Sequence, residues 1–280
     1  MPTNYVVNAQ GEQEPFSFRK VFGSALRAGA SKEAAWNIAA AVRKDSYPGI
    51  TTSEIFKKVG ELLRKQSRKS ALRFNLKKSI QQLGPTGFPF EKYVCEIFKS
   101  MGFKTAVNQI IPGRCINGYE IDFIAEKENL VYLGECKYRN FFEDKVDLKD
   151  ALVNFARFLD ILQGPCFQAR KNKIFKTIMV SNGKFTQSAI RYSGCNKVEL
   201  LGWKFPQNAG LERLVEEKSL YPITILSSLK GYIKSKLADS QLMLARDILK
   251  VDPAKLARKI DAQEKDILSL VREAELLLED

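Results

Sequence analysis

The chain has 280 residues, 45% of them apolar, with 45 Lys and Arg against 32 Asp and Glu for a net charge of +13, and it contains no histidine. That length gives room for two or three domains with sizeable cores. The missing imidazole excludes Ser-His-Asp triads, HExxH metalloproteases and His-dependent nucleases or phosphodiesterases as usually built. A nuclease in this chain has to use carboxylates and lysine.

In chain order, Val6-Val7 reads as extended up to a turn at Gly11, and Glu14-Pro15-Phe16 leads into three or four helices. Ser17 is placed to cap the first, which runs to about Ala28, and Ser31 the second. Thr51-Thr52-Ser53-Glu54-Ile55 opens the third after a Pro48-Gly49 turn. The fourth, roughly Ser70 to Leu83, stops at Gly84-Pro85, the expected boundary of a first domain over 1–85. Arg64, Lys65, Arg68, Lys69, Arg73, Lys77 and Lys78 fall in this stretch with no acid among them. Helical spacing would put the first four on one face.

A second domain is expected over 86–205. Glu120 to Ala125 and Val131 to Tyr138 are short, apolar and rich in Ile, Val, Phe and Tyr, as buried strands are, with a polar turn over Glu126 to Leu130. An amphipathic helix follows (Val146 to Leu162), then a strand (Ile174 to Val180), a Ser181-Asn182-Gly183-Lys184-Phe185-Thr186 turn, a helix from Gln187, and a last strand near Leu200-Leu201-Gly202-Trp203. From 206 onward the pattern is helical: Leu211 to Glu217, a strand-like Tyr221 to Thr224, then roughly 225–236, 240–250, 252–260 and 262–278. Asp252-Pro253 marks a helix start. The spacing of Ile267, Leu268, Val271, Ala274 and Leu277 forms an apolar stripe.

The charge is uneven along the chain. Residues 1–85 carry 15 basic and 6 acidic residues, 86–205 carry 18 and 13, and 206–280 carry 12 and 13. A basic front end points to a polyanionic partner, most simply DNA. Cys95, Cys115, Cys136, Cys166 and Cys195 are scattered and odd in number, without CxxC pairs, which speaks against zinc or a disulfide framework and for buried thiols in a reducing cytoplasm. No charged-then-apolar leader is seen, and no run approaches the ~20 apolar residues of a membrane span.

The chemistry concentrates at the hairpin. Asp122 lies on its first strand, and Glu135-Cys136-Lys137 ends its second. Side chains alternate along a strand, so Glu135 and Lys137 share a face. Such charges at the end of a buried hairpin cost several kcal/mol in desolvation unless compensated. A divalent metal with a phosphate substrate is one compensation. A half-buried Glu135–Lys137 salt bridge, with Asp122 as a surface acid, is the other reading. Glu143-Asp144-Lys145, Asp147-Leu148-Lys149 and Glu216-Glu217-Lys218 share the spacing but lie in polar stretches.

The arrangement resembles the PD-(D/E)xK nuclease superfamily, and its Mrr-like restriction endonuclease branch in particular, over about residues 86–205. Asp122 stands for the first aspartate, with Ile121 where a proline often precedes it, and Glu135-Cys136-Lys137 for (D/E)xK. Glu91 matches the assisting glutamate of the preceding helix. The resemblance implies Mg²⁺ held by Asp122, Glu135 and the Cys136 carbonyl, with Lys137 orienting or deprotonating water or stabilising the transition state.

Residues 4–87 resemble the ATP-cone, a small nucleotide-binding domain. The matching stretches are Val7 to Lys20, Gly49 to Ile55 and Phe74 to Gly87 with its Leu83-Gly84-Pro85-Thr86-Gly87 ending. The family's basic pair before an Asp-Gly turn is replaced by Asn8-Ala9 with Gln10 ahead of Gly11. Glu14, Lys20 and Thr52 remain. With Lys77 they form the candidate ATP or dATP site. The short C-terminal helices resemble a SAM or helix-hairpin-helix module without its Gly-rich hairpins.

Together these give an α/β expectation: a restriction-endonuclease-like mixed sheet core flanked by helices, an ATP-cone-like helical domain before it and a small all-α domain after it. The expected activity is that of a cytoplasmic, Mg²⁺-dependent endodeoxyribonuclease of restriction or defence type. It would act on double-stranded DNA as a homodimer without membrane association. The alternative is a nucleotide-responsive DNA-binding regulator that keeps the nuclease core as a scaffold. RNA or another phosphodiester is a further candidate substrate.

Overall fold

The computed structural model describes residues 5–83, 90–141, 144–168, 170 and 172–279. The Gly84-Pro85 boundary, the rest of the Thr86-Gly87 ending and Glu143 therefore lie outside the described residues. In chain order the elements are β1 (Tyr5–Val7), β2 (Gln13–Pro15), α1 (Phe18–Arg27), α2 (Lys32–Lys44), β3 (Ile50–Thr51), α3 (Thr52–Gln66), α4 (Arg68–Phe74), α5 (Leu76–Gln81), α6 (Phe90–Ser100), β4 (Lys104–Ile111), β5 (Tyr119–Lys127), β6 (Leu130–Lys137) and β7 (Lys145–Val146). There follow α7 (Leu148–Leu162), α8 (Pro165–Gln168), β8 (Ile174–Ser181), β9 (Lys184–Phe185), α9 (Gln187–Cys195), β10 (Glu199–Leu201), α10 (Leu211–Glu217), α11 (Gly231–Asp239), α12 (Pro253–Lys259) and α13 (Glu264–Leu278), with 3₁₀ turns at Ile223–Ile225 and Ala245–Lys250. The class is mixed α/β. Among the described residues no helix is long and apolar enough to cross a membrane.

The chain folds as two compact units. One comprises 1–79, 225–230 and 248–280, the other 80–224 and 231–247. The stretch 206–280, expected as a domain of its own, is divided between them.

In the first unit, β1 pairs antiparallel with β2 and parallel with β3. The helix starts follow the capping chemistry. Ser17 and Ser31 accept from Lys20 and Ala34 backbone N–H groups, and Thr51 and Glu54 form a reciprocal capping box. Val21, Ala25, Ile38, Val42, Val59 and Leu63 form the core. The expected fourth helix is instead two, broken at Asn75, which caps α4. The basic run is broken earlier. Ser67, with φ −153° and ψ 114°, ends α3 and caps α4, so Arg64 and Lys65 sit on one helix and Arg68 and Lys69 on the next. The shared face predicted from uninterrupted spacing does not form. Arg68 pairs instead with Glu273 of α13 at 2.8 Å, and Lys69 bonds the Glu279 carbonyl.

In the second unit, a five-stranded sheet has the order β10-β8-β6-β5-β4, with β4-β5-β6 antiparallel and β6-β8-β10 parallel. β4, an edge strand whose exposure alternates although its polar and apolar residues come in pairs, was not anticipated. Helices cover both faces. Phe98 of α6 packs on Phe123 and Tyr132 at ring distances of 5.1 and 5.9 Å. Ile161 of α7 packs with Ile111, Ile121 and Leu133. Three of the cysteines, Cys115, Cys166 and Cys195, are exposed, contrary to the expectation of buried thiols: they lie on loops or at helix ends, outside the core, and Cys95 alone is fully buried.

Candidate active site

The site is built where β5 and β6 part. Their ladder runs from Lys127↔Leu130 to Phe123↔Gly134, and continuing it would set Asp122 opposite Glu135. On the other side, β4 pairs Val107 with Phe123 and Gln109 with Ile121. Asn108, which would face Asp122, adopts φ 51° and makes no pair, a conformation Asn tolerates better than most residues. Asp122 thus belongs to neither ladder. Strict alternation also slips here: Ile121 and Ile124, three residues apart, both pack against the α7 side of the sheet. The pleat irregularity frees the Asp122 side chain, whose Oδ2 accepts the Cys136 backbone N–H at 2.6 Å. Asp122 is therefore tied to the strand that carries Glu135 and Lys137, not left as a surface acid.

Glu135 is 6% exposed. Its Oε1 lies 2.8 Å from Lys137 Nζ and its Oε2 2.7 Å from Arg157 Nη1. Lys137 also reaches Asp150 at 3.7 Å, and Asp150 holds Arg139 at 2.7 Å. Arg157 donates as well to the Glu120 carbonyl at 3.1 Å. Burial, then the nearby charges of Glu135 and Glu91, push the Asp122 carboxyl up to about 6, against the lowering effect of the Cys136 N–H and Lys137. Glu91, in the first turn of α6, thus acts on the site electrostatically. Burial also raises the Cys136 thiol well above its ordinary value, which keeps it protonated.

Two clefts meet at Glu135. The larger, about 640 Å³, is lined by Gly118, Tyr119, Glu120, Asp122, Glu135 and α7 residues including Arg157. The smaller, about 210 Å³, is lined by Glu135, Lys137, Lys149, Asp150 and Arg157 among others. The Ser181–Thr186 turn props the same region. Ser181 Oγ donates to the Lys137 carbonyl at 2.7 Å, and Asn182 clamps both the N–H and the carbonyl of Arg139 at 2.7 and 2.9 Å.

Of the sequence candidates, Asp122, Glu135 and Lys137 come together, with Glu91 in electrostatic reach. The first unit holds the others. Glu14 of β2 and Lys20 of α1 form an ion pair at 2.9 Å, Thr52 opens α3, and Lys77 lies in α5. Asn8 closes the preceding turn, its Oδ1 accepting the Gln10 and Glu12 N–H groups.

Arg157, Asp150 and Arg139 were not anticipated. The sequence carried only the i, i+4, i+7 spacing of Asp150, Asn154 and Arg157 on α7; in the structure Asn154 is buried, while Leu152, Val153 and Leu159 are exposed. That inversion marks Asp150, Asn154 and Arg157 as a polar face turned toward the sheet.

Residues 221–278 match the family described as AF1548-like, C-terminal. An uncharacterized protein of Archaeoglobus fulgidus is 33% identical over 185 residues, covering 66% of this chain and 99% of that one. The crystal structure of AF1548, a protein of unknown function, superposes with a TM-score of 0.56 at 33% identity, over 66% of this chain and 94% of the other. At that identity and coverage, the chain belongs to the AF1548-like family.

Proposed function

We propose that the protein is a Mg²⁺-dependent endodeoxyribonuclease of restriction or genome-defence type. It acts on double-stranded DNA as a homodimer, with a restriction-endonuclease-like second unit and an ATP-cone-like first unit that responds to ATP or dATP. The observation that carries the reading is that Glu135 joins two clefts where two strands part, sharing the larger with Asp122 and the smaller with Lys137, while Asp122 is bonded to the backbone of Cys136 between them.

The donor set fits a hard cation. Among the described residues no three His, Cys, Asp or Glu side chains form a metal-ligand group. The protein's share would be the Asp122 and Glu135 carboxylates and the Cys136 carbonyl, with water or phosphate oxygens completing the shell, as suits Mg²⁺. Asp122 is half-buried beside two further acids and forms no ion pair among the described residues, so bound positive charge would relieve it. The ion would supply Lewis-acid polarisation and a more acidic water. Lys137, fixed between Glu135 and Asp150, places an ammonium where it can orient that water or stabilise charge on the phosphoryl oxygens. Glu91 adds negative potential that favours the cation.

Incubation of plasmid with the protein and Mg²⁺, with and without ATP or dATP, tests the reading. Asp122→Ala and Lys137→Ala should abolish cutting while circular dichroism stays unchanged. Undiminished cutting by either would defeat it.

One observation favours the regulator reading. Both Glu135 oxygens are already satisfied by Lys137 and Arg157, a self-neutralised arrangement that needs no metal. That reading expects DNA binding without breakage, at an affinity that shifts with added ATP or dATP.

A further inference from the structure

We infer that Arg157 is a phosphate-binding residue of the cleft, parked on Glu135 while the site is free of substrate and transferred to a phosphodiester oxyanion when the polyanion enters. The inference rests on the cleft being the phosphodiester site, as proposed above.

Arg157 sits in the third turn of α7 and lines both clefts that meet at Glu135. Its side chain is 19% exposed, so its position is set by packing but open to a ligand. The guanidinium carries five N–H donors in a planar fork. Among the described residues Nη1 alone is engaged, by Glu135 Oε2 at 2.7 Å and the Glu120 carbonyl at 3.1 Å. The remaining donors match the paired oxygens of a phosphate, which a guanidinium grips better than an ammonium does.

Charge argues the same way. Lys137, 2.8 Å from Glu135, already neutralises that carboxylate, so Arg157 is a second cation on one acid. Asp122, in the same cleft, takes only a backbone N–H among the described residues, at 2.6 Å. Positive charge shared between Asp122 and Glu135 would weaken the hold of Glu135 on Arg157 and free the fork for an anion a few ångströms away. The other role open to Arg157 is that of a brace holding α7 to the β5–β6 end, and the two roles predict different things.

The test uses the full chain and reads binding, not cleavage. Mn²⁺ binding is followed by electron paramagnetic resonance without DNA, and binding of a short duplex DNA by fluorescence anisotropy in Ca²⁺. Removing a cation beside a metal ligand should tighten Mn²⁺ by about tenfold in R157A. Removing the fork should weaken the duplex by about tenfold or more. R157K keeps the charge and most of the packing. It should bind Mn²⁺ as wild type does and still lose duplex affinity, which decides the matter if R157A does not fold. A brace would weaken both ligands together in R157A and spare both in R157K. That pattern, or wild-type duplex affinity in both variants, overturns the inference. Failure of the nuclease reading would show separately, as unimpaired cutting by Asp122→Ala.

Discussion

Gly134 lies directly across the β5–β6 ladder from Phe123, whose ring covers it so closely that a Cβ would fall 2.1 Å from Cε1 and 2.2 Å from Cζ. The ring has nowhere to go: Phe123 is fully buried and packs on Phe98. Gly134→Ala should therefore destabilise the fold by about 2–3 kcal/mol, the usual scale for overpacking, and displace Glu135 next to it. Gly194 in α9 is the control, because a Cβ there meets nothing within 4 Å. Gly194→Ala should be neutral or stabilising by up to about 1 kcal/mol. Urea unfolding of both variants checks this; equal stability would show that the ring is not the wall the packing makes it.

Asp122→Asn should stabilise the metal-free protein while removing the proposed activity. Burial pushes the folded carboxyl up to about 6, whereas in the unfolded chain it titrates near 4. The folded state therefore binds the extra proton between those values, and stability falls as pH rises through that window. Conversion of the whole shift gives about 3 kcal/mol, which screening at a partly exposed carboxyl reduces to about 1–2 kcal/mol. Asparagine keeps an oxygen for the Cys136 N–H and carries no charge to desolvate. Thermal melts in EDTA should show D122N above wild type at pH 7.5 and level with it at pH 4; a variant less stable at both would show that the charge is not the penalty.

Glu273 makes the opposite case in the first unit. It is 2% exposed, and burial alone would raise its carboxyl. Hydrogen bonds from Ser227 Oγ at 2.5 Å, Ser228 N at 2.9 Å and Arg68 at 2.8 Å overcome that and hold it below its ordinary value. A lowered acid contributes stability that is present above the unfolded value and lost as pH falls through the folded one, here below about pH 4. Glu273→Ala should cost about 3 kcal/mol at neutral pH. Its loss of stability on acidification should be shallower than wild type. A neutral-pH loss under 1 kcal/mol, read from denaturant midpoints, would mean that the serines and Arg68 rearrange freely around the gap.

Much of this was legible in the residues. The helix starts at Ser17, Ser31, Thr51 and Asp252 follow from side-chain oxygens that satisfy the first free N–H groups, whereas the start of α7 was read early, at Val146, which pairs in β7 ahead of the Asp147 cap. The two site strands follow from apolar β-branched and aromatic runs. What escaped was tertiary. The pleat slip at Asp122 coincides with Asn108 of β4, and β4 does not announce a strand because its polar and apolar residues come in pairs, with Ala106 and Ile110 on the exposed side. Arg157 escaped because a lone cation on an amphipathic helix looks like any solvated residue until its apolar neighbours prove to be the exposed ones. The division of 206–280 between two units was hidden because the C-terminal helix is held to the first unit by a buried acid, Glu273, whose partner Arg68 lies far away in sequence. The break at Ser67 was invisible to spacing alone, since Ser both ends one helix and caps the next.

That break separates the basic run into an exposed part and an ion-paired part, and salt dependence distinguishes them. Arg64 and Lys65, near the end of α3, are exposed. Arg68 on α4 is spent on Glu273. If the first unit contributes to DNA binding, the Arg64→Ala/Lys65→Ala double variant should leave the melting temperature unchanged. It should also lower the slope of log affinity against log salt by about 2, since each phosphate contact on duplex DNA contributes ~0.9. Arg68→Ala should do the reverse, lowering the melting temperature because Glu273 loses its cation while the salt slope holds. Duplex binding from low to moderate salt, with melts of the same samples, measures both. A salt slope that moves with Arg68 but not with Arg64 and Lys65 would mean the polyanion approaches the α4 side, in competition with the C-terminal helix for the same arginine.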